Sequence, residues 1–183
     1  MAVVYAFLAD GLEEVECLAT ADVLIRAGVK VKLVSITGKK EVKGAHGFGI
    51  HADALLHEVD PMKADLLFLP GGMPGTKNLE HCEELMKQVD AFVKDGKLVC
   101  AICAAPSILG HRGHLQGRKA TVYPGMEGEL TGAEWVADKA VTDGNIITAR
   151  GMGCAIAFGL AIIEKFKGEQ AADEMAQKVV YQL

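Results

Sequence analysis

Apolar and polar positions change period along the chain, and the changes mark its elements. "AVVYAFLA" (2–9) is a continuous apolar run bounded by Asp10-Gly11, which predicts a buried strand. "DGLEEVECLATADVLIRAG" (10–28) predicts a helix, with Asp10 and Glu13 spaced as a capping box and Gly28 as its stop. "VKVKLVSI" (29–36) returns to strand, and "EVKGAHGFGIHAD" (41–53) alternates around glycines as a small antiparallel excursion. "ADLLFLPGG" (64–72) is a third buried strand, ended by Pro70-Gly71-Gly72. In "NLEHCEELMKQVDAFVKDG" (78–96), Leu79, Leu85, Met86, Val89, Phe92 and Val93 keep close to helical period.

"KLVCAI" (97–102) reads as strand and "APSILG" (105–110) as the start of a helix. A short strand "KATVYP" (119–124) follows, then a hairpin "AVTDGNIITAR" (140–150) turning at Asp143-Gly144. The apolar "CAIAFGLAIIEKF" (154–166) and "EQAADEMAQKVVYQ" (169–182) predict two closing helices. Strands alternate with helices, and several strands are apolar on both faces. That pattern implies a mostly parallel sheet covered by helices on both sides. Nothing marks a linker or a repeat, so 1–183 reads as a single domain. Sites in such sheets gather where strands end and helices begin. Three seams qualify: Asp10 to Glu16, Pro70 to Gly75, and Cys103 to Pro106.

Composition narrows the function. Half of the 183 residues are apolar, the net charge is −5, and Lys and Arg form no isolated cluster, so nucleic acid and anionic membranes are not expected partners. No apolar run is long enough to span a bilayer, and the N-terminus turns acidic at once instead of forming a secretory signal; a cytoplasmic location is the expectation. The five cysteines, Cys17, Cys82, Cys100, Cys103 and Cys154, are odd in number and scattered, which favours reduced thiols over a disulfide framework.

Cys100 and Cys103 form a C-x-x-C, but Cys100 lies in apolar strand sequence, whereas the thioredoxin-type pair shares a helix N-terminus. No second pair of ligands supports zinc, and "HRGH" (His111, His114) reads as a polar loop. Cys103 ends its strand, small residues surround it, and Pro106 falls in the first turn of the next helix. A thiol there meets the positive end of the helix, which favours thiolate, and the sharp strand–turn–helix elbow is the device that displays a nucleophile in hydrolases. Two readings of Cys103 therefore stand: a nucleophile, or a small residue filling space. The second fits Cys17, Cys82 and Cys100 better, and Cys154 less clearly, because it stands near another helix start.

"LPGGMPGTKN" can expose backbone amides at Gly71 and Gly72 where a developing oxyanion needs donors, or can simply end a strand. In "EEVE", Glu13 and Glu14 suit capping and dipole roles. Glu16 lies deeper, among Leu12, Ala19 and Val23. A buried carboxyl tends to keep its proton. A neutral Glu16 donating to Cys103 sulfur favours thiolate, and an ionised Glu16 opposes it, so the acid must be raised and the thiol lowered as a pair.

Together "GLEEVE", "RAGVKV", "LPGGMPG", "AICAAP" and "TARGMGCAIAFGLAIIE" resemble the ThiJ/PfpI superfamily over nearly the whole chain, in its bacterial ThiJ/YajL-like branch related to the parkinsonism-associated protein deglycase. The resemblance implies an α/β flavodoxin-like three-layer sandwich and a homodimer. It implies Cys103 as nucleophile, Glu16 as the protonated acid beside it, and an oxyanion pocket of Gly71, Gly72 and Ala104 backbone. Arg26 matches a position near an anion pocket at the dimer interface. The chain departs from relatives at Tyr123, where some carry histidine, and at His46, where many carry arginine; both are expected to support the substrate or dimer site. No metal and no cofactor is implied. The activity implied is a cofactor-free glyoxalase or deglycase acting on methylglyoxal, glyoxal and their protein adducts. Redox sensing or chaperone action through oxidation of Cys103 is the alternative, and a PfpI-like cysteine peptidase a third, without a histidine placed to complete a triad.

Overall fold

The computed structural model describes residues 1–181. The strands are β1 (Val3–Leu8), β2 (Lys30–Ser35), β3 (Glu41–Lys43), β4 (Gly49–His51), β5 (Ala54–Leu55), β6 (Leu66–Leu69), β7 (Leu98–Ile102), β8 (Lys119–Ala120), β9 (Glu134–Trp135), β10 (Ala140–Asp143) and β11 (Ile146–Ala149). The helices are α1 (Glu14–Arg26), α2 (Gly75–Glu80), α3 (Glu83–Lys94), α4 (Pro106–His111), α5 (Ala155–Lys167) and α6 (Glu169–Lys178). Seven strands form the main sheet in the order β10-β11-β7-β6-β1-β2-β5. All its pairings are parallel except the β10–β11 hairpin, where Asp143 faces Ile146 across a loop holding Gly144 at φ +60°.

Alternation along each strand splits the core into two layers. Val4, Ala6 and Leu8 of β1, with Leu66, Phe68, Cys100 and Ile102, pack against α1, α5 and α6. Tyr5, Phe7, Leu67, Leu69, Val99 and Ala101 pack against α2, α3 and α4. Phe68 meets Phe158 of α5 edge-on at 5.5 Å between ring centres. This is the flavodoxin-like three-layer sandwich that the family resemblance implies, with the mostly parallel, helix-covered sheet that the strand–helix alternation predicts. The carboxyl ends of β1, β6 and β7 lie side by side at its middle and bring the three seams together.

Four boundaries differ from the sequence reading. The helical period of 78–96 spans two helices, broken at His81–Cys82, and α2 starts earlier, at Gly75. "KATVYP" contributes only the two residues of β8, which pair in parallel with β9 outside the main sheet. Beyond them the Thr121 amide donates to the Thr148 hydroxyl instead of entering a ladder. The last helix stops at Lys178, and Gln182, where its reading ended, lies outside the described residues. Finally, α1 is capped by Glu13, whose carboxylate accepts from the Glu16 amide at 2.7 Å. Asp10, read as the cap, accepts from the Lys43 amide of the β3–β4 hairpin, because Gly11 at φ +82° turns the chain before the helix begins.

Candidate active site

Cys103 follows β7 with φ +64°, a left-handed conformation that costs a residue with a Cβ roughly 1–2 kcal/mol. Hydrogen bonds on both sides hold it there. Its amide donates to Ala149 O at 2.9 Å, extending the β7–β11 pairing by one residue, and its carbonyl accepts from the Tyr123 amide at 2.8 Å. The Ala105 amide closes the turn on Ile102 O at 3.0 Å, and Pro106 opens α4. The strand therefore ends in a bend that lifts the half-buried Cys103 side chain out of the sheet, toward the seams at the ends of β1 and β6.

Glu16, in the first turn of α1, is completely buried. One oxygen, Oε2, accepts from the Gly71 amide at 3.1 Å; the other, Oε1, has no partner. Burial raises its pKa to about 7 and the nearby Glu13 charge adds to this, while contact with Cys103 and the Gly71 amide pull it down. A carboxyl so placed holds its proton far more readily than an exposed glutamate, as its depth in the helix suggests. Gly71 is where sulfur and acid approach: a Cβ there would lie 2.5 Å from Cys103 Cβ and 2.5 Å from Glu16 Oε2.

The Cys103 thiol itself departs from expectation. Burial pushes it up to about 12, the Glu16 carboxylate pushes the same way, and the Gly72 and Ala104 amides oppose them. The helix expected to lower it is short, and its first residue stands three positions beyond the sulfur. Sulfur and carboxyl thus compete for one charge: an ionised Glu16 opposes a charge on sulfur, and a neutral one leaves the two amides facing the sulfur without that repulsion. The three backbone amides expected to face an oxyanion divide between two partners. Gly71's amide is committed to Glu16, which leaves Gly72 and Ala104 as the amides directed at sulfur.

Tyr123 reaches this site; Arg26 does not. The Tyr123 ring is half exposed and covers Gly151, where a Cβ would lie 3.4 Å from the ring and 4.0 Å from Glu16 Oε1. Gly151 was missed as a site residue, and its only signal was a Gly-x-Gly at a strand end. Arg26 closes α1, paired with Asp22 at 2.6 Å, with ten residues or about 15 Å of helix rise separating it from Glu16. His46, exposed on the β3–β4 loop, lies with Nδ1 2.9 Å from Glu14 Oε2, and its amide donates to Glu14 Oε1 at 2.8 Å. Burial opposes charge on Glu14, yet these bonds hold it below its ordinary value, and the carboxylate holds His46 above its own. Donor atoms of Glu13, Glu14 and His46 lie within 4.8 Å of one another, but cap and ion pair already employ them. Cys17 and Cys100 are buried and their thiols pushed up, Cys17 to about 12. All five cysteines are free. Beside the site, an apolar groove of about 660 Å³ is lined by Val15, Leu18, Phe48 and Met152 among others. Among the described residues no helix is long and apolar enough to cross a membrane.

The DJ-1/PfpI family model matches residues 2–165. Among curated proteins, the chain is 39% identical over 172 residues to protein DJ-1 homolog A of Arabidopsis thaliana, covering 92% of this chain and 44% of that protein. It spans less than half of that relative and of a second Arabidopsis homologue, of which it covers 40%. It is 32% identical over 168 residues to a Caenorhabditis elegans protein named as a glutathione-independent glyoxalase, covering 91% of this chain and 89% of the other. To a Pyrococcus abyssi protein named as a deglycase it is 33% identical over 144 residues, with 78% and 86% covered. The solved structure of oxidised Toxoplasma gondii DJ-1 superposes with a TM-score of 0.95 at 30% identity over 100% of both chains.

Proposed function

This chain belongs to the DJ-1/PfpI family, and from that premise we propose that it is a cysteine-dependent enzyme acting on methylglyoxal or glyoxal and on their adducts with protein side chains. The observation that carries the reading is the Cys103–Glu16 pair: a thiol on a strained elbow against a buried carboxyl, with two backbone amides turned toward the sulfur. Relatives named as a glyoxalase and a deglycase support the substrate class.

The proton balance follows from the pair. Passing the thiol proton to an ionised Glu16 leaves one charge in the pocket and moves it to sulfur, where the Gly72 and Ala104 amides point. The thiolate attacks the aldehyde carbon, a C–S bond forms, and the carbonyl oxygen takes up the charge beside those amides. Glu16 returns the thiol proton to that oxygen and, ionised again, carries the proton of the attacked carbon to the neighbouring carbonyl carbon. The first carbon is oxidised by two electrons and the second reduced by two, giving a thioester. Water cleaves it to release lactate and restore the thiol, so no external oxidant or cofactor enters. Lactate formation from methylglyoxal by the purified chain, abolished in Cys103→Ser, is the expected result; equal activity in that variant overturns the reading.

A second reading, redox sensing, is favoured by the unpartnered Glu16 Oε1, which as a protonated acid can donate to an oxygen on oxidised sulfur. Mass analysis after mild peroxide tests it: selective oxidation of Cys103 supports it, and equal oxidation of Cys82 removes its basis. A peptidase triad gains no support: the ring nitrogens of His111 face Glu80 and Glu129, His114 Nε2 faces Asp90, and among the described residues no histidine is hydrogen-bonded to Cys103. The reading includes a homodimer joined through the apolar groove beside the site.

A further inference from the structure

The "HRGH" segment, read as a polar loop, is a junction of ion pairs. His111 is the last residue of α4. Its Nδ1 lies 2.7 Å from Glu80 Oε1 of α2, and its Nε2 lies 2.8 Å from Glu129 Oε2 in the turn Glu127–Glu129. A neutral imidazole carries one N–H, so it can donate to only one of two carboxylates and must turn a lone pair toward the other. Only the imidazolium donates to both. The arrangement is therefore that of a charged ring, and the two carboxylates hold the proton on it.

The charged groups around it come from every neighbouring element. Glu80 belongs to α2 and Glu129 to the turn. From α3, Asp90 faces Arg112 Nε at 2.7 Å and His114 Nε2 at 2.7 Å, and the charges of Glu83 and, more weakly, Glu80 reach Arg112. Arg112 and His114 are thus occupied by Asp90, and nothing else bridges Glu80 to Glu129 among the described residues. Backbone packing adds to the contact, because a Cβ at Gly110, next to His111, would collide with Glu129 O.

Each arm that meets at His111 continues into a wall of the sulfur pocket. α4 begins three residues after Cys103. α2 begins directly after the loop that carries Gly71 and Gly72. The Glu127–Glu129 turn follows Tyr123, whose amide holds the Cys103 carbonyl.

We propose that His111 is a positioning residue for the Cys103 pocket, a proton-operated brace that ties these three arms together when charged and releases the Tyr123–Glu129 wall when neutral. The proposal rests on Cys103 being the reactive residue and on no particular substrate. Its sign is set by the geometry. Below the imidazole titration the wall is held, and above it the two carboxylates face each other across a ring that can serve only one.

The test reads thiol access and not turnover, so failure of the aldehyde chemistry leaves its outcome intact. Iodoacetamide labelling of Cys103 in the full chain is followed by peptide mass analysis from about pH 5.5 to about pH 9, in wild type and in His111→Gln. The ratio of the two rates cancels the titration of the thiol itself. We expect the variant to label about two- to fivefold faster at the acid end, the size of effect a partly exposed ion pair supports, with the ratio falling to one at the alkaline end. Glu129→Gln, an exposed change that leaves the histidine in place, is expected to give the same trend with smaller amplitude, and it serves if His111→Gln does not fold. A ratio that is flat across the range in both variants overturns the proposal, as does an NMR titration showing the His111 ring neutral at and below the ordinary imidazole value.

Discussion

A methyl group at Gly71 would have nowhere to go. It would meet the Cys103 Cβ and Glu16 Oε2 at 2.5 Å each, and Ile102 O at 2.8 Å. Overpacking of this kind costs about 1–3 kcal/mol, and each kcal/mol lowers Tm by about 2–4 °C in a chain of this size. Gly71→Ala is expected to lower Tm accordingly and to erase any preferential labelling of Cys103, since the substituent wedges acid from sulfur. Unchanged melting and labelling would show that the backbone yields easily. Glu16 makes a second residue-scale prediction, with a sign. Its folded pKa is raised from 4.5 to about 7, so its contribution to stability is full below 4.5 and is lost as pH rises through 7. The shift corresponds to about 3 kcal/mol for this fully buried group. Glu16→Gln removes the titration, so the variant's Tm should gain on wild type as pH climbs from 4.5 to 7. Parallel Tm curves would place the Glu16 proton elsewhere.

Between elements, the seams meet backbone to backbone, and helix propensity gives the wrong answer there. Gly75 is the first residue of α2, where alanine is a better helix former by about 1 kcal/mol. A Cβ at Gly75 would stand 2.5 Å from Leu12 N and 2.6 Å from Leu12 Cα, in the turn that launches α1. Leu12 is fully buried and cannot retreat, so the collision should exceed the propensity gain. Gly75→Ala is expected to be net destabilising by chemical denaturation; a more stable variant would refute the contact. This is also the scale at which the sequence was least legible. Buried strands such as β1, β6 and β7 announce themselves because both faces are apolar. The elbow is visible because small residues and Pro106 follow an apolar strand. The break at His81–Cys82 is invisible because the helical period runs across it. The exchange of Asp10 for Glu13 as cap depends on an amide 33 residues away, and the commitment of Gly71's amide on a carboxyl 55 residues away. The thiol's direction of shift was misread for the same reason: local sequence showed the helix ahead of Cys103, while burial and Glu16 come from other parts of the chain.

For the molecule as a whole, the outer side of α1 carries an exposed apolar surface next to the site. Val15, Leu18, Phe48 and Met152 are between 42% and 68% exposed, and they line one groove together with Glu13, Glu14 and His46. Contiguous apolar surface of this kind, rimmed by charge, marks an association face. The proposed homodimer would cover it through a two-fold axis, in which the same patch serves both partners. The groove opens at Glu13, whose amide is bonded to Gly71 O at 2.9 Å and whose carboxylate caps the turn holding Glu16. Association there would therefore bear on the proposed catalytic pair through one residue. Sedimentation equilibrium should give twice the 19.4 kDa chain mass for wild type. Leu18→Asp places a charge in the middle of the groove without touching the buried side of α1, where Cys17, Val23 and Leu24 pack. That variant should sediment as a monomer with unchanged secondary structure. A wild-type monomer, or a dimer indifferent to Leu18→Asp, would move the association face elsewhere and detach it from the chemistry at Cys103.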